Sequence, residues 1–347
     1  MDPLVSVILV THNAGDYLRL AAQSIVTQTC PCWELLLVDN ASTDGSVDAL
    51  NDLRADPRVR LIRNQANLFH NGGLRVGQAE ARGQFIAIMD ADDVSHPLRL
   101  TRQLQFLDQH HEVGAVSCVA DTINGQGHRT GLEFTLCRPQ DIAAFLPYNM
   151  PFVFPAMLFR RELLDAFPFR HNLPMSHDLD LLLRAAGQFS YSCVPELLFS
   201  YRRHRTSTTH SRLRELFAYG CIVRVAAARR RQQVSEGFEA LLTERQQLLA
   251  RAASIGQVFL HYARGCLQEG YLAIAAYHAR QAIWNQARLH GALVLLRVLA
   301  GMARSRHRGP ERNLRTALLG PLRSLGLQPF QREPEPHPTP PDHPADP

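Results

Sequence analysis

Three carboxylates fall within four residues at Asp90, Asp92 and Asp93, at the close of the apolar run in IMDADDV. So dense a negative charge repels itself unless a cation neutralises it. Hard oxygen ligands suit Mg²⁺ or Mn²⁺, which are held by one or two carboxylates together with substrate phosphates. Taken alone, the stretch reads equally as a solvated acidic turn. Two other apolar runs end in polar groups, Thr11-His12-Asn13 after VSVILV and Asp39-Asn40 after ELLLV. Ligands of open parallel sheets bind beyond the carboxyl ends of the strands, so these three ends are expected to line one crevice. Asp39 would there offer a carboxylate to the ring N–H of a uracil-like base, while Ser42, Thr43 and Asp44 read as turn and helix-cap residues. Asp178 in HDLD reads on its own as an acid at a helix N-terminus. His177 reads as a cleft or surface residue, because no histidine at metal-ligand spacing accompanies it.

The elements that must position these groups follow from periodicity. Short apolar runs predict strands over 5–10, 34–39, 59–63 and 84–90, and amphipathic stretches between them predict helices over 15–28, 44–54 and 71–82. Another helix follows Pro97, where Leu100, Leu104 and Leu107 repeat at helical spacing. Alternation of this kind makes a largely parallel sheet of βα units. From 115 to 205 the pattern is mixed, with an apolar run at 152–159, a helix near 177–187 and a strand near 189–194 leading to YRRH at 201–204. After 210 the sequence turns to Ala, Leu, Arg and Gln and predicts five or six helices to residue 325. Tyr271, Ala275, Ala279 and Ala282 hint at one tetratricopeptide-like hairpin, although ordinary helix packing explains them without a repeat array. The expected division is 1–210, 211–328 and a proline-rich, disordered 329–347.

In their order and spacing, VSVILVTHN, ELLLVDNASTDGS, the stretch from RLIRNQANLFH to IMDADD, HDLDLLLR and YRRH resemble the family 2 inverting glycosyltransferases of GT-A fold, over residues 4–205. The resemblance implies an α/β nucleotide-diphospho-sugar transferase domain, a mostly parallel sheet flanked by helices, followed by an all-α C-terminal domain. It implies that Thr11, Asn13 and Asp39 hold the nucleotide, with Asp90 and Arg75 also on the nucleotide side. It further implies that Asp92, Asp90 and His204 hold Mg²⁺ or Mn²⁺ and that Asp178 is the catalytic base. Three positions depart from the family pattern: His177 stands where Glu is usual, Phe154 where His is frequent, and Leu74-Arg75 where Arg-Asn is frequent. The implied partners are a nucleotide-diphosphate sugar donor and a glycan or lipid-linked acceptor in bacterial surface glycan or polysaccharide synthesis. A sugar nucleotidyltransferase is the rival enzyme, but its glycine-rich basic loop is absent from THNAGDYL.

Composition narrows the rest. The chain has 347 residues, 46% hydrophobic and 20% charged, which excludes a disordered or fibrous protein and leaves room for two domains. No run of about 18 apolar residues offers a membrane span, and MDPLVSVILV reads as a first strand instead of a signal peptide, so a cytoplasmic location is expected. The seven cysteines are scattered, which predicts reduced thiols. All 37 basic residues are Arg. Residues 1–210 carry 18 Arg against 22 acids, whereas 211–328 carry 18 against 6, an excess of +12. That excess suits a peripheral contact with an anionic membrane at the inner face of the cell membrane. A non-catalytic nucleic-acid-binding module is the other reading, but aromatics are few and the arginines spread over several helices, so no nucleic acid is expected as partner.

Overall fold

The computed structural model describes residues 3–204, 212–251, 254–268, 271–285 and 291–298. Four strands, β1 (Val5–Thr11), β2 (Trp33–Asp39), β3 (Val59–Arg63) and β4 (Phe85–Asp90), lie parallel in the order β3-β2-β1-β4. Every residue of β1 and β2 is buried, as expected of parallel strands covered on both faces. Register sets Thr11 beside Asp39 and Val10 beside Asp90, so the three polar strand ends emerge on one edge.

Helices α1 (Tyr17–Val26), α2 (Phe69–Glu80) and α3 (Arg99–Gln109) agree with the periodicity. The approach of α2 to the sheet depends on two glycines one turn apart. A Cβ on Gly73 would lie 2.4 Å from Val10 Cγ1, and one on Gly77 would lie 2.4 Å from Ile8 Cγ2. Only a bare backbone fits, and this seats the first turn of α2 over the end of β1. The helix expected over 44–54 is instead two 3₁₀ turns, Asp48–Leu50 and Leu53–Ala55. A short polar side chain competes with the helical ladder there: Asp44 Oδ1 accepts from Ser46 N and Oγ.

Beyond β4 the sheet reverses. β6 (Val113–Ile123), β8 (Leu158–Arg160) and β9 (Ser190–Arg202) continue it in the order β4-β8-β6-β9, with β8 antiparallel to both β4 and β6 and β9 parallel to β6. The short β5 (Val94–Ser95) pairs with β9, and the exposed β7 (Arg129–Leu132) pairs with β6. β9 runs well past 194, so Tyr201 and Arg202 of YRRH belong to the strand. Between these strands lie α4 (Pro139–Phe145), α5 (Arg161–Ala166) and α6 (His177–Ala185).

The C-terminal helices are α7 (Leu213–Arg231), α8 (Phe238–Arg251), α9 (Ile255–Gln268) and α10 (Leu272–Trp284), and residues 291–298 are helical too. Residues 218–227 of α7 are buried all round, which marks α7 as the central helix, packed on α6, α8, α9 and α10. Ala275, Ala279 and Ala282 are fully buried and let α10 lie close to its hairpin partner α9. Part of the arginine excess is spent inside the protein. Arg224 donates to Tyr148 O at 3.0 and 2.7 Å, and Arg230 pairs with Glu236 at 2.7 Å. Among the described residues no helix is long and apolar enough to cross a membrane. All seven cysteines are free thiols. The remaining helices expected to 325 and the proline-rich 329–347 lie outside the described residues.

Candidate active site

The carboxyl ends of β1, β2 and β4 form the expected crevice. Thr11 is buried, and its Oγ1 has no partner. Asp39, 3% exposed, accepts Ser42 N on Oδ1 at 2.9 Å and lies 3.9 Å from Arg63 Nε. Asn13 ties the loop after β1 to the loop after β2: its N–H donates to Ser42 Oγ at 3.1 Å, and its Oδ1 accepts Thr43 N at 2.8 Å. Asp44 Oδ2 accepts Gly15 N at 2.9 Å. Ser42, Thr43 and Asp44 cap no helix; as turn residues of the second loop they clamp the first. Arg75 stands half-buried farther along α2 and makes no ion pair among the described residues.

The acidic turn after β4 places ligand oxygens of Asp90, Asp92 and Asp93 within 4.8 Å of one another. Asp93, absent from the expected ligand set, is fully buried; its Oδ1 accepts Arg202 N at 2.7 Å, and its Oδ2 has no partner. Burial, with Asp92 and Asp90 adding to it, holds the Asp93 carboxyl well above the usual range. Burial and Asp90 also push Asp92 up, against the pull of His204. His204 Nε2 lies 2.7 Å from Asp92 Oδ2, and its ring packs on Tyr17 at 5.3 Å. Arg202 braces the turn from β9, its Nε donating to Asp92 O at 2.6 Å and its Nη1 to Asn124 O at 2.9 Å. The late YRRH motif thus reaches the acidic turn with two residues. Crowded carboxylates raised by one another, with a buried oxygen left over, form a donor set that fits a hard divalent cation.

Asp178 enters from α6. The helix starts at Ser176, buried and left-handed at φ +55°, whose Oγ donates to Leu216 O of α7 at 3.3 Å. The central C-terminal helix therefore fixes the start of the segment carrying Asp178. Burial raises the Asp178 carboxyl, Leu179 N and His70 oppose the rise, and Asp90 adds to it. Asn13, Ala41, Phe69 and Ser176 are four of the five non-glycine residues with positive φ among the described residues, and all flank this crevice or feed it. Such strain concentrates where a site is held by its surroundings.

Sequence reasoning passed over His70, which joins the two acidic parts. Its Nε2 lies 3.0 Å from Asp90 Oδ1, and its Nδ1 lies 3.1 Å from His177 Nε2. Burial pulls the His70 imidazole down, but Asp90, then Asp178 and Asp92, outweigh it and leave it above its ordinary value. His177 is driven well below its ordinary value by burial and by His70. Its ring meets Phe154 and Phe169 edge-on, each at 6.0 Å. Two of the three departures from the family pattern, Phe154 and His177, are thus in contact. The only signal for His70 was its place in FHNGG, one turn before the glycines that seat α2 on β1.

Comparison with known proteins places this geometry. Residues 6–167 match the model of glycosyl transferase family 2. An uncharacterized glycosyltransferase of Methanocaldococcus jannaschii is 26% identical over 228 residues, covering 62% of this chain and 77% of that protein. The succinoglycan biosynthesis protein ExoO of Rhizobium meliloti is 27% identical over 257 residues, covering 70% and 73%. In fold the chain is similar to TarS 1-349 of S. aureus, solved in complex with UDP-GlcNAc, at a TM-score of 0.57 and 16% identity over 89% of this chain and 93% of that one.

Proposed function

We propose, for a chain that is a glycosyltransferase with a family 2 domain over residues 6–167, that it moves a sugar from a nucleotide-diphosphate donor to a hydroxyl acceptor with inversion at the anomeric carbon. One observation carries the reading. Asp90, Asp92 and Asp93 converge at the carboxyl edge of the sheet, and Asp178 is near enough to favour the charged form of His70, which is itself paired to Asp90.

In this reading Thr11, Asn13 and Asp39 hold the nucleoside, and Arg75 serves the phosphates. Asp92 and Asp90 would hold Mg²⁺ or Mn²⁺ together with His204, which also meets Asp92, and Asp93 stands behind them. When bound, the cation would supply positive charge opposite the leaving diphosphate. Asp178 accepts the proton of the attacking hydroxyl, and burial, by raising its carboxyl, makes it a better proton acceptor. His70 is a positioning residue that keeps Asp90 and α6 in register. TarS was solved with UDP-GlcNAc, which supports a nucleotide-sugar donor, and the relative that serves succinoglycan biosynthesis supports a role in bacterial polysaccharide synthesis.

The test is a panel of UDP-, GDP- and dTDP-sugars with Mn²⁺, read by thermal shift and donor hydrolysis, because a ligand of the folded state raises its melting temperature. At least one sugar nucleotide is expected to stabilise the protein and be hydrolysed, and excess chelator to abolish turnover. Full turnover in chelator would overturn the metal assignment. The basic C-terminal helices are proposed to touch anionic lipid peripherally from the cytoplasmic side. Sedimentation with vesicles should then rise with anionic lipid and fall with salt; equal recovery without anionic lipid would remove that role.

A further inference from the structure

A pocket of about 390 Å³, within the size range of small-molecule sites, lies between the family 2 domain and the C-terminal helices. Its walls come from segments far apart in the chain: the first turn of α2 with Phe69 and Asn71, the loop before α6 with Pro174, and α7 and α8 with Tyr219, Thr243 and Arg245. Two of these segments also build the catalytic crevice. Phe69 and Asn71 flank His70, and Pro174 stands four residues before Asp178.

Two polar atoms in the wall are unanswered. Asn71 is 2% exposed; its Nδ2 donates to Arg170 O at 2.6 Å and Leu173 O at 2.7 Å, leaving Oδ1 buried without a partner. Arg245 Nε is also buried without a partner, and its guanidinium lies 4.0 Å over the Tyr219 ring. A second ring, that of Phe69, is 52% exposed and held at a φ of +57°, where Asn67 Oδ1 accepts its N–H at 2.8 Å. The Asn71 and Arg245 atoms lie behind the pocket surface; the accessible lining is the exposed Phe69 ring together with the exposed polar residues Asn172, Glu239, Thr243 and Gln246. Hydroxyls both donate and accept, and sugar rings carry apolar C–H faces, so a saccharide suits a wall of one aromatic ring among polar side chains.

We propose that this pocket is the subsite for the acceptor saccharide, resting on the transferase reading above, and that it delivers the acceptor hydroxyl toward Asp178. Tyr219, Thr243 and Arg245 fall outside residues 6–167, so this wall is not part of the matched family domain.

The experiment uses the full chain and a set of methyl hexosides and methyl N-acetylhexosaminides at millimolar concentration, read by saturation-transfer NMR. Binding of UDP and GDP with Mn²⁺ is measured in parallel by thermal shift. At least one glycoside is expected to bind. Thr243→Trp and Gln246→Trp, both at exposed positions lining the pocket, should each weaken it at least about tenfold, with nucleotide binding unchanged. Melting temperatures identify a variant that fails to fold, and the other Trp substitution then decides. No binding of any glycoside, binding untouched by both folded variants, or displacement of the glycoside by UDP or GDP would each overturn the assignment. Glycoside binding that the Trp variants abolish, in a protein that binds neither nucleotide, would instead sink the transferase reading and leave the saccharide site standing.

Discussion

The two ends of the same parallel strands both bury carboxylates and treat them oppositely. At the amino end Glu34, 4% exposed, accepts from Ser6 Oγ at 2.7 Å, Arg82 N at 2.8 Å and Arg60 at 3.0 Å. Burial pushes the Glu34 carboxyl up, but those three donors outweigh it and hold it below its ordinary value. At the carboxyl end burial and Asp90 push Asp92 up, burial with Asp92 and Asp90 pushes Asp93 up, and an oxygen of Asp93 has no partner among the described residues. One end is finished by the protein; the other leaves a buried oxygen without a partner among the described residues. Helix α6 repeats the contrast within one turn. Asp180 is clamped by Arg170 at 3.1 Å and Arg184 at 2.8 Å, whereas Asp178, two residues earlier, has no Arg partner among the described residues. Burial alone therefore does not distinguish a working acid from a structural one; the donors around it do.

The largest expected effect comes from the unfinished end. Asp92→Ala should lower kcat/KM by more than about 10³-fold while the melting temperature holds or rises, because a repelling charge is removed. Activity within a few fold of wild type would place the cation elsewhere.

Next, Asp178→Asn should cost about 10²- to 10⁴-fold in kcat with donor binding intact, the scale of a positioned general base. The same residue sets a pH signature. In the proposed reading Asp178 acts only when deprotonated, and its carboxyl is raised, so the acid limb of kcat/KM should fall at a pH above the ordinary carboxylate value of about 4. A limb at or below that value would point to a different base.

Asp180→Ala is expected to act on stability instead, losing about 3 kcal/mol by leaving Arg184 with Pro168 O alone and Arg170 with Glu236 alone. Chemical denaturation of Asp178→Asn and Asp180→Ala side by side checks it, and equal stabilities would erase the contrast within α6.

The smallest change expected is Glu34→Ala, about 2 to 3 kcal/mol less stable with kcat/KM unaltered. Because the folded value of Glu34 is depressed, its contribution is present above the unfolded value of about 4.3 and is lost as pH falls through the folded one. The stability gap between the two proteins should therefore close only in acid. A loss of activity at neutral pH in a folded Glu34→Ala protein would break the division between the two ends.

Local pattern was enough for much of this. The four parallel strands, the helices α1, α2, α3 and α6, and the polar groups at the strand ends are written in runs of a few residues, because burial on two faces demands continuous apolar stretches and a helix face demands its own period. Thr11, Asp39, Asp90 and Asp92 could be placed on one edge from that pattern and from the rule for parallel sheets. The 44–54 segment escaped it, since Asp44 takes up the Ser46 N–H in a way that periodicity does not encode. The rest needed distant segments to meet. His70 becomes a link only because Gly73 and Gly77 let α2 settle on β1 while α6 brings His177 to it from 107 residues away. Arg202 reaches the acidic turn from 110 residues away, and the pocket joins α2 to α7 and α8. A sequence carries residue types and local periods, while the partner that completes, raises or neutralises a buried charge is supplied by packing between elements, and that is set only when the whole chain folds.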